Sequence, residues 1–173
     1  MKTKTSLETL VRPLLFVLTL AVALGVNCAK IHAQEALFVV RGAEPNLRIT
    51  ELTDAGKKEA EALARVLMDA DIDLIYAFDR GYLIRTAEPT AKMLNKKVNI
   101  LPLSLDAMDD LVRRLRTQHA SQRVFVVGGL TPSNYIFEAF GVKDSENPTV
   151  LADKLYVIAP RERGETLLIK MRW

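Results

Sequence analysis

The sequence has little of what builds disulfide scaffolds or metal centres: it contains one cysteine and two histidines among 173 residues. A single cysteine, Cys28, excludes an intrachain disulfide. The histidines, His32 and His119, stand far apart, and no group of His, Cys, Asp or Glu has the spacing of a metal site. We therefore expect neither a disulfide framework nor a metal or other cofactor.

The chain also lacks internal repeats, low-complexity tracts and Gly/Ser-rich linkers. Its 173 residues are enough for one domain with a real core and too few for two comfortable ones. Apolar residues make up 49% of the chain and charged residues 26%, which is the composition of an ordinary globular protein. These absences predict a single folded domain.

The first 33 residues have the three parts of a secretory signal. Lys2, Lys4 and Arg12 supply the positive start, residues 14–26 form an apolar run, and a small-residue cleavage site ends at Ala33. We expect export to the periplasm or the extracellular space, with cleavage near that alanine. The apolar run is short for a spanning helix, which needs roughly 20 residues. An uncleaved membrane anchor remains the alternative, and it would be the protein's only contact with a membrane.

The basic character of the whole chain belongs to this N-terminal segment. The full sequence has a formal net charge of +3, whereas residues 34–173 carry 20 basic and 20 acidic side chains. A neutral domain gives no electrostatic reason to expect a nucleic-acid partner. A lipid anchor on Cys28 is disfavoured because Asn27 precedes it.

Apolar and turn patterns in residues 34–173 predict strands that alternate with helices. The predicted strands cover residues 35–40, 74–76, 98–101, 124–127, 154–159 and 165–171. Thr53 is expected to cap the first helix, and a loop through Phe78 to lead into a helix over residues 82–94 that contains Pro89. A third helix opens at Asp106. The alternation indicates an α/β three-layer sandwich, with a mostly parallel central sheet and helices on both faces.

The fourth helix is predicted to follow Gly128 and Gly129, with Thr131 as its N-cap and Pro132 as its first residue. It is expected to run to about Phe140. A turn over residues 160–164 would then join the last two strands.

The stretch ALFVVRGAE, residues 36–44, leaves the first strand at the place where α/β proteins gather ligands. Arg41 directly follows the strand, and Arg80, Arg85 and Thr131 follow other predicted strands. These four residues are our candidates for binding phosphate or another anion. In the alternative interpretation, a nearby carboxylate holds Arg41 in an ion pair, and Arg80 and Arg85 are surface cations.

Four segments, FVVRGAE, LTDAGKKEAEALARVL, DLIYAFDRGYLIRTAEPTAKML and VFVVGGLTPSNYIFEAFG, resemble the histidine phosphatase superfamily, the phosphoglycerate-mutase-like group. Their order and spacing match across residues 35–171. The resemblance implies that group's α/β sandwich and phosphatase activity through a phosphohistidine. The non-catalytic LT-x-x-G and TAEPTA segments match well.

The catalytic positions of that family are not retained. The resemblance places the nucleophilic histidine at Gly42, the second histidine at Gly129 and the second arginine at Tyr82, so that only Arg41 of the four is present. Glycine offers no side chain to accept a phosphoryl group. His119 lies in a polar stretch and is expected to be solvated. The sequence therefore predicts a degenerate member in which both catalytic histidines are missing.

Three functional hypotheses follow. The first is a secreted or periplasmic pseudophosphatase whose cleft is vestigial or binds an anion or a partner. The second is a phosphohydrolase acting on phosphate monoesters through a rearranged site, with Asp79, Glu44 and Asp106 as contributors. The third is a protein-binding module that uses Tyr82 and Phe78 as aromatic anchors. An exposed apolar patch at the cleft would favour a protein partner, whereas converging arginines would favour a phosphate-containing small molecule.

Overall fold

A computed structural model describes residues 36–46, 50–142, 154–159 and 166–173 of the chain. In chain order its elements are β1 (Ala36–Val40), β2 (Pro45–Asn46), β3 (Glu51–Leu52), α1 (Asp54–Leu67), β4 (Leu74–Phe78), α2 (Gly81–Met93), β5 (Val98–Leu101), α3 (Leu105–Arg116), β6 (Arg123–Val127), α4 (Leu130–Ala139), β7 (Lys154–Ala159) and β8 (Leu167–Arg172). The predicted signal at residues 1–33 and the turn at 160–164 lie outside the described residues. Within those residues, no helix has both the length and the apolar character needed to cross a membrane.

Six strands form one sheet in the order β5-β4-β6-β1-β7-β8. The first four of these strands are parallel to one another. Strand β7 pairs antiparallel with β1, and β8 pairs antiparallel with β7. The crossovers through α1 and α2 run toward β5 and the crossover through α3 runs back. Because such crossovers are right-handed, α1 and α2 cover one face and α3 covers the other. The helix α4 packs beside α3 on that second face. This confirms the predicted three-layer α/β sandwich.

The inner strands are apolar along their whole length because both of their faces are covered. In β1, Leu37 pairs in register with Val124 of β6 and with Ile158 of β7, and all three side chains are fully buried or nearly so. On the same face, the Phe137 ring of α4 meets the Tyr156 ring edge to face, with 5.0 Å between centroids. A continuous core therefore fixes where each parallel strand ends.

The start of α1 explains the LT-x-x-G segment. Thr53 caps the helix as predicted, because its hydroxyl accepts a hydrogen bond from the Gly56 N–H at 3.0 Å. The same hydroxyl donates to the Glu44 carboxylate at 2.7 Å. A Cβ on Gly56 would stand 2.2 Å from the Glu44 carbonyl oxygen, so this helix can approach the loop after β1 only with glycine there.

Pro89 lies inside α2, as predicted, and the helix runs from Gly81 to Met93 on both sides of it. The structure corrects two other local predictions. Phe78 ends β4 and is completely buried, so it belongs to the strand and not to a loop, and it cannot be an aromatic anchor for a partner. Gly129, and not Thr131, is the N-cap of α4, which begins at Leu130. The predicted loop after β1 also contains the short antiparallel pair of β2 and β3.

One buried hydrogen bond ties the loop after β1 to α2. The Ala43 N–H donates to the Thr86 hydroxyl at 3.0 Å, and that hydroxyl donates to the Tyr82 carbonyl at 2.7 Å. Both Thr86 and Ala43 are almost completely buried. One turn further along the same helix, Thr90 is equally buried, but its hydroxyl has no hydrogen-bond partner among the residues that the structure describes.

We predict opposite effects for the same substitution at these two threonines. Thr86→Val leaves a buried N–H without an acceptor and should lower the free energy of unfolding by about 1–3 kcal/mol. Thr90→Val removes a hydroxyl that lacks a partner and should be neutral or stabilising. Urea unfolding followed by circular dichroism measures both. Equal losses in the two variants would contradict the proposed role of Thr86.

Candidate active site

The loop after β1 adopts a backbone conformation that suits glycine. Gly42 has a φ of +104°, which side chains of L-amino acids rarely adopt. A Cβ placed there would lie 2.7 Å from Leu83 Cδ2. Leu83 is itself 1% exposed and packed in the core, so it has little room to move away. Both the backbone and the packing therefore oppose a side chain at this position.

Tyr82 occupies the space between the two glycines that the sequence aligns with catalytic histidines. A Cβ on Gly42 would lie 3.4 Å from Tyr82 Cε2, and a Cβ on Gly129 would lie 3.6 Å from the Tyr82 hydroxyl. The half-buried tyrosine packs against the main core and also against the small cluster of Ala43, Leu52 and Ala60. Three positions far apart in sequence thus meet at one point, where an aromatic ring fills the space.

Gly129 differs from Gly42 in its surroundings. Its φ is −76°, an ordinary value for an N-cap residue, and the atoms nearest to an added Cβ would be 3.6 Å and 4.0 Å away. These are ordinary van der Waals distances. Gly129 could therefore carry a side chain, whereas Gly42 could not do so without strain.

Arg41 is half-buried and lines a small niche against α4. The niche is bounded by Arg41, Leu130, Ser133, Asn134, Phe137 and Tyr156. Two atoms of these residues, Ser133 Oγ and Asn134 Oδ1, are buried and have no hydrogen-bond partner in the described part of the chain. The space holds about one water molecule, which such polar atoms could bind. A phosphate group is larger than this niche.

The other candidate anion ligands do not converge with Arg41. Arg85 makes ion pairs with Glu88 at 2.9 Å and with Glu51 at 3.1 Å. Hydrogen bonds and charge from Glu88, and then from Glu51, raise the pKa of Arg85 above its ordinary value. These three residues line a separate groove of about 890 Å³ between α1 and α2. Arg85 is therefore held in ion pairs at the groove between α1 and α2 and does not line the niche beside Arg41.

Arg80 and Thr131 are exposed at the carboxyl edge of the sheet. Arg80 is the N-cap residue of α2, and its guanidinium donates to the Asp79 carbonyl at 3.4 Å. Thr131 is the second residue of α4. Neither residue lines the niche beside Arg41.

No acidic cluster of the kind that a rearranged metal site would need occurs in the described part of the chain. Glu44 is engaged in structural contacts, because its carboxylate accepts from Thr53 and its N–H donates to the Glu59 carboxylate at 2.9 Å. Asp79 is exposed, and Asp106 lies in the first turn of α3. Among the described residues, these carboxylates therefore do not form a group that could hold a metal ion.

The prediction that His119 is solvated is wrong, because both of its ring nitrogens have side-chain partners. Its Nε2 lies 3.0 Å from the hydroxyl of the buried Tyr76, and its Nδ1 lies 2.7 Å from Gln122 Oε1. If the imidazole is neutral, Nδ1 carries the proton and the tyrosine donates to Nε2. The histidine therefore anchors the turn after α3.

Apolar side chains are exposed along the carboxyl edge of the sheet. Leu103 and Leu105 follow β5 and are 39% and 65% exposed, and Leu130 follows β6 and is 42% exposed. Since β4 lies between β5 and β6, these leucines flank the point where Tyr82 sits. The sequence does not predict that these leucines are exposed or that Leu83 is buried. The exposure of a side chain in a loop or at the start of a helix depends on tertiary packing.

The sequence matches no family model and no curated protein. Solved structures do match over most of their length. A putative alpha-ribazole-5'-P phosphatase from Escherichia coli is 14% identical with a TM-score of 0.64, covering 81% of this chain and 97% of that one. A putative phosphohistidine phosphatase SixA from Agrobacterium tumefaciens is 20% identical with a TM-score of 0.58, covering 80% and 97%.

A phosphoserine phosphatase from Entamoeba histolytica, solved as a mutant in complex with phosphoserine, is 15% identical with a TM-score of 0.58, covering 78% of this chain and 94% of that one. These neighbours belong to the histidine phosphatase superfamily. At such low identities the likeness establishes a shared fold, which agrees with the fold that the motifs implied.

The two glycines provide a matched pair for testing the site. Gly42→Ala should lower the free energy of unfolding by about 1–3 kcal/mol, because the new side chain meets both an unfavourable φ and Leu83. Gly129→Ser adds an N-cap hydroxyl at an open position and should be neutral or slightly stabilising. Chemical unfolding of both variants measures the difference. An unchanged stability of Gly42→Ala would show that the position accepts a side chain after all.

Proposed function

We propose that this chain, whose fold is that of the histidine phosphatases, is an exported protein that no longer transfers phosphoryl groups. We further propose that the carboxyl edge of its sheet binds a protein partner. The single observation that carries the loss of activity is Gly42, where both the backbone and Leu83 oppose the side chain that would act as nucleophile. Removing a nucleophile from a covalent enzyme costs about a million-fold in rate in the best-studied case.

Among the described residues, no second cation joins Arg41 where a transferring phosphoryl group would need stabilisation. Positive charge around the equatorial oxygens is what catalyses this reaction once the nucleophile is in line. Tyr82 stands where the resemblance places a second arginine, and Arg85 is paired with Glu51 and Glu88 at another cavity. Arg41 alone would supply one cation, in a niche with room for about one water molecule.

A protein partner is favoured over a phosphate-containing small molecule by the character of the surface. Tyr82 and three exposed leucines, Leu103, Leu105 and Leu130, occupy the edge where a phosphatase would keep cationic groups. Exposed aliphatic and aromatic side chains gathered in one region are typical of interaction sites.

If this is the surface used, Leu105→Glu and Leu130→Glu should abolish partner capture from a periplasmic extract without lowering the unfolding midpoint.

Export is supported by the three-part N-terminal segment alone. The periplasmic or extracellular form would begin at Gln34 after cleavage behind Ala33. Mass spectrometry of the protein recovered from expressing cells checks this. Recovery of the intact chain in the membrane fraction would favour the anchored alternative.

We predict that the purified full chain does not hydrolyse p-nitrophenyl phosphate above the background rate. The reason is that the described residues at the carboxyl edge offer neither a nucleophile at residue 42 nor a converging set of cations. Release of p-nitrophenol over several hours measures the rate, with Arg41→Ala as the matched variant. Turnover that Arg41→Ala abolishes would mean that a rearranged site is active, and would overturn the proposal.

A further inference from the structure

The outer edge of β5 carries backbone groups that no described strand uses. The sheet order ends at β5, which pairs with β4 on one side and with no strand of the described residues on the other. The Leu101 carbonyl faces β4, since it accepts a hydrogen bond from the Asp79 N–H at 2.8 Å. Successive residues of a strand direct their backbone groups to opposite sides, so the N–H and C=O groups of Val98 and Ile100 point away from the sheet. These groups have the geometry that binds an added strand.

Apolar side chains continue from this strand to the carboxyl edge of the sheet. Ile100 is 54% exposed, although it lies in the middle of β5, and Val98 shares its face. Leu103 and Leu105 follow the strand and are 39% and 65% exposed. The open edge of β5 therefore leads directly into the apolar surface that we assign to a protein partner.

The other end of β5 is positively charged. Lys96 and Lys97 directly precede the strand, and both are exposed. In the described part of the chain neither of them makes an ion pair. An extended segment that lies along β5 would thus meet two ammonium groups at one end and leucine side chains at the other.

We propose that the partner adds an extended segment to β5 as an antiparallel strand, with carboxylates at the C-terminal end of that segment and apolar residues at its N-terminal end. Antiparallel pairing is slightly more stable per residue than parallel pairing, and it places the C-terminal end beside Lys96 and Lys97. Opposite charges across a strand pair stabilise the pairing. This inference rests on the proposed function, because it specifies how a protein partner would meet the carboxyl edge.

A second copy of this chain fits the same edge less well. If two β5 strands paired with Ile100 on the two-fold axis, Val98 would face Pro102, which has no N–H to donate. An axis one residue earlier would set Lys97 against Leu101 of the other copy. Lysine and proline beside an edge oppose pairing between identical strands, whereas a segment that carries carboxylates would pair with the lysines.

Fluorescence anisotropy of a labelled synthetic peptide tests the proposal on the full chain. The probe begins with leucine, continues with alternating threonine and valine, and ends in two glutamates. It should bind saturably, and Lys96→Glu combined with Lys97→Glu should raise its Kd about tenfold or more by bringing like charges together. A probe that ends in two lysines should prefer the variant. No saturable binding up to millimolar concentrations, or equal affinities of the two probes for the wild-type chain, would overturn the proposal.

A methylated probe separates strand addition from simple attraction to the lysines. Methylation of the peptide nitrogens that would donate to β5 keeps every side chain and charge of the probe but removes those hydrogen bonds. The methylated probe should therefore show no saturable binding. Equal affinities of the methylated and unmethylated probes would show that the peptide does not add as a strand.

Amide hydrogen exchange followed by NMR locates the bound segment. The N–H groups of Val98 and Ile100 should exchange rapidly in the free chain and about tenfold or more slowly with saturating probe. The N–H of Leu101, which lies on the β4 side, should exchange slowly in both states. Unchanged exchange at Val98 and Ile100 would contradict the proposed mode of binding.

Two variants distinguish this inference from the proposed function. Leu130→Glu alters the carboxyl edge beyond β6, whereas Ile100→Pro removes an N–H from the outer edge of β5 without removing a bond to β4. A partner whose capture is lost in Leu130→Glu but retained in Ile100→Pro would support the proposed function and overturn strand addition. Loss of capture in both variants, together with binding of the glutamate probe, would support both.

Discussion

The left-handed backbone at Gly42 is the constraint on which the candidate site depends. A φ of +104° turns the chain away from β1, and the buried Thr86 hydroxyl holds the next residue, Ala43, in that path. Leu83 then fills the place where a side chain at residue 42 would begin. The geometry that completes the core at this point is thus the same geometry that leaves no room for a side chain at residue 42.

The fold is held together by packing and by helix capping. Its free energy comes from apolar strands covered on both faces, from the cap at Thr53 and from the close approach of Gly56 to Glu44. At the strand ends, Tyr82 fills the space between residues 42 and 129 with a ring that packs against both clusters of the core.

The sequence predicts the parts of the structure that depend on local pattern. The alternation of strands and helices, the Thr53 cap and the meeting of residues 42, 82 and 129 all follow from periodicity or from the resemblance. Contacts set by tertiary packing do not follow. The sequence shows a glycine at residue 42 but not its φ, an arginine at 85 but not the carboxylates that hold it, and a polar His119 but not its bond to Tyr76.

Covalent trapping tests the central claim most directly, because it detects a single phosphoryl transfer even where turnover is slow. The full chain would be mixed with a ³²P-labelled low-molecular-weight phosphoryl donor, quenched in denaturant and separated by gel electrophoresis. Our account predicts no protein-bound label, either acid-labile or alkali-labile. Stoichiometric label that disappears in Arg41→Ala would contradict it, since some side chain would then be acting as the nucleophile.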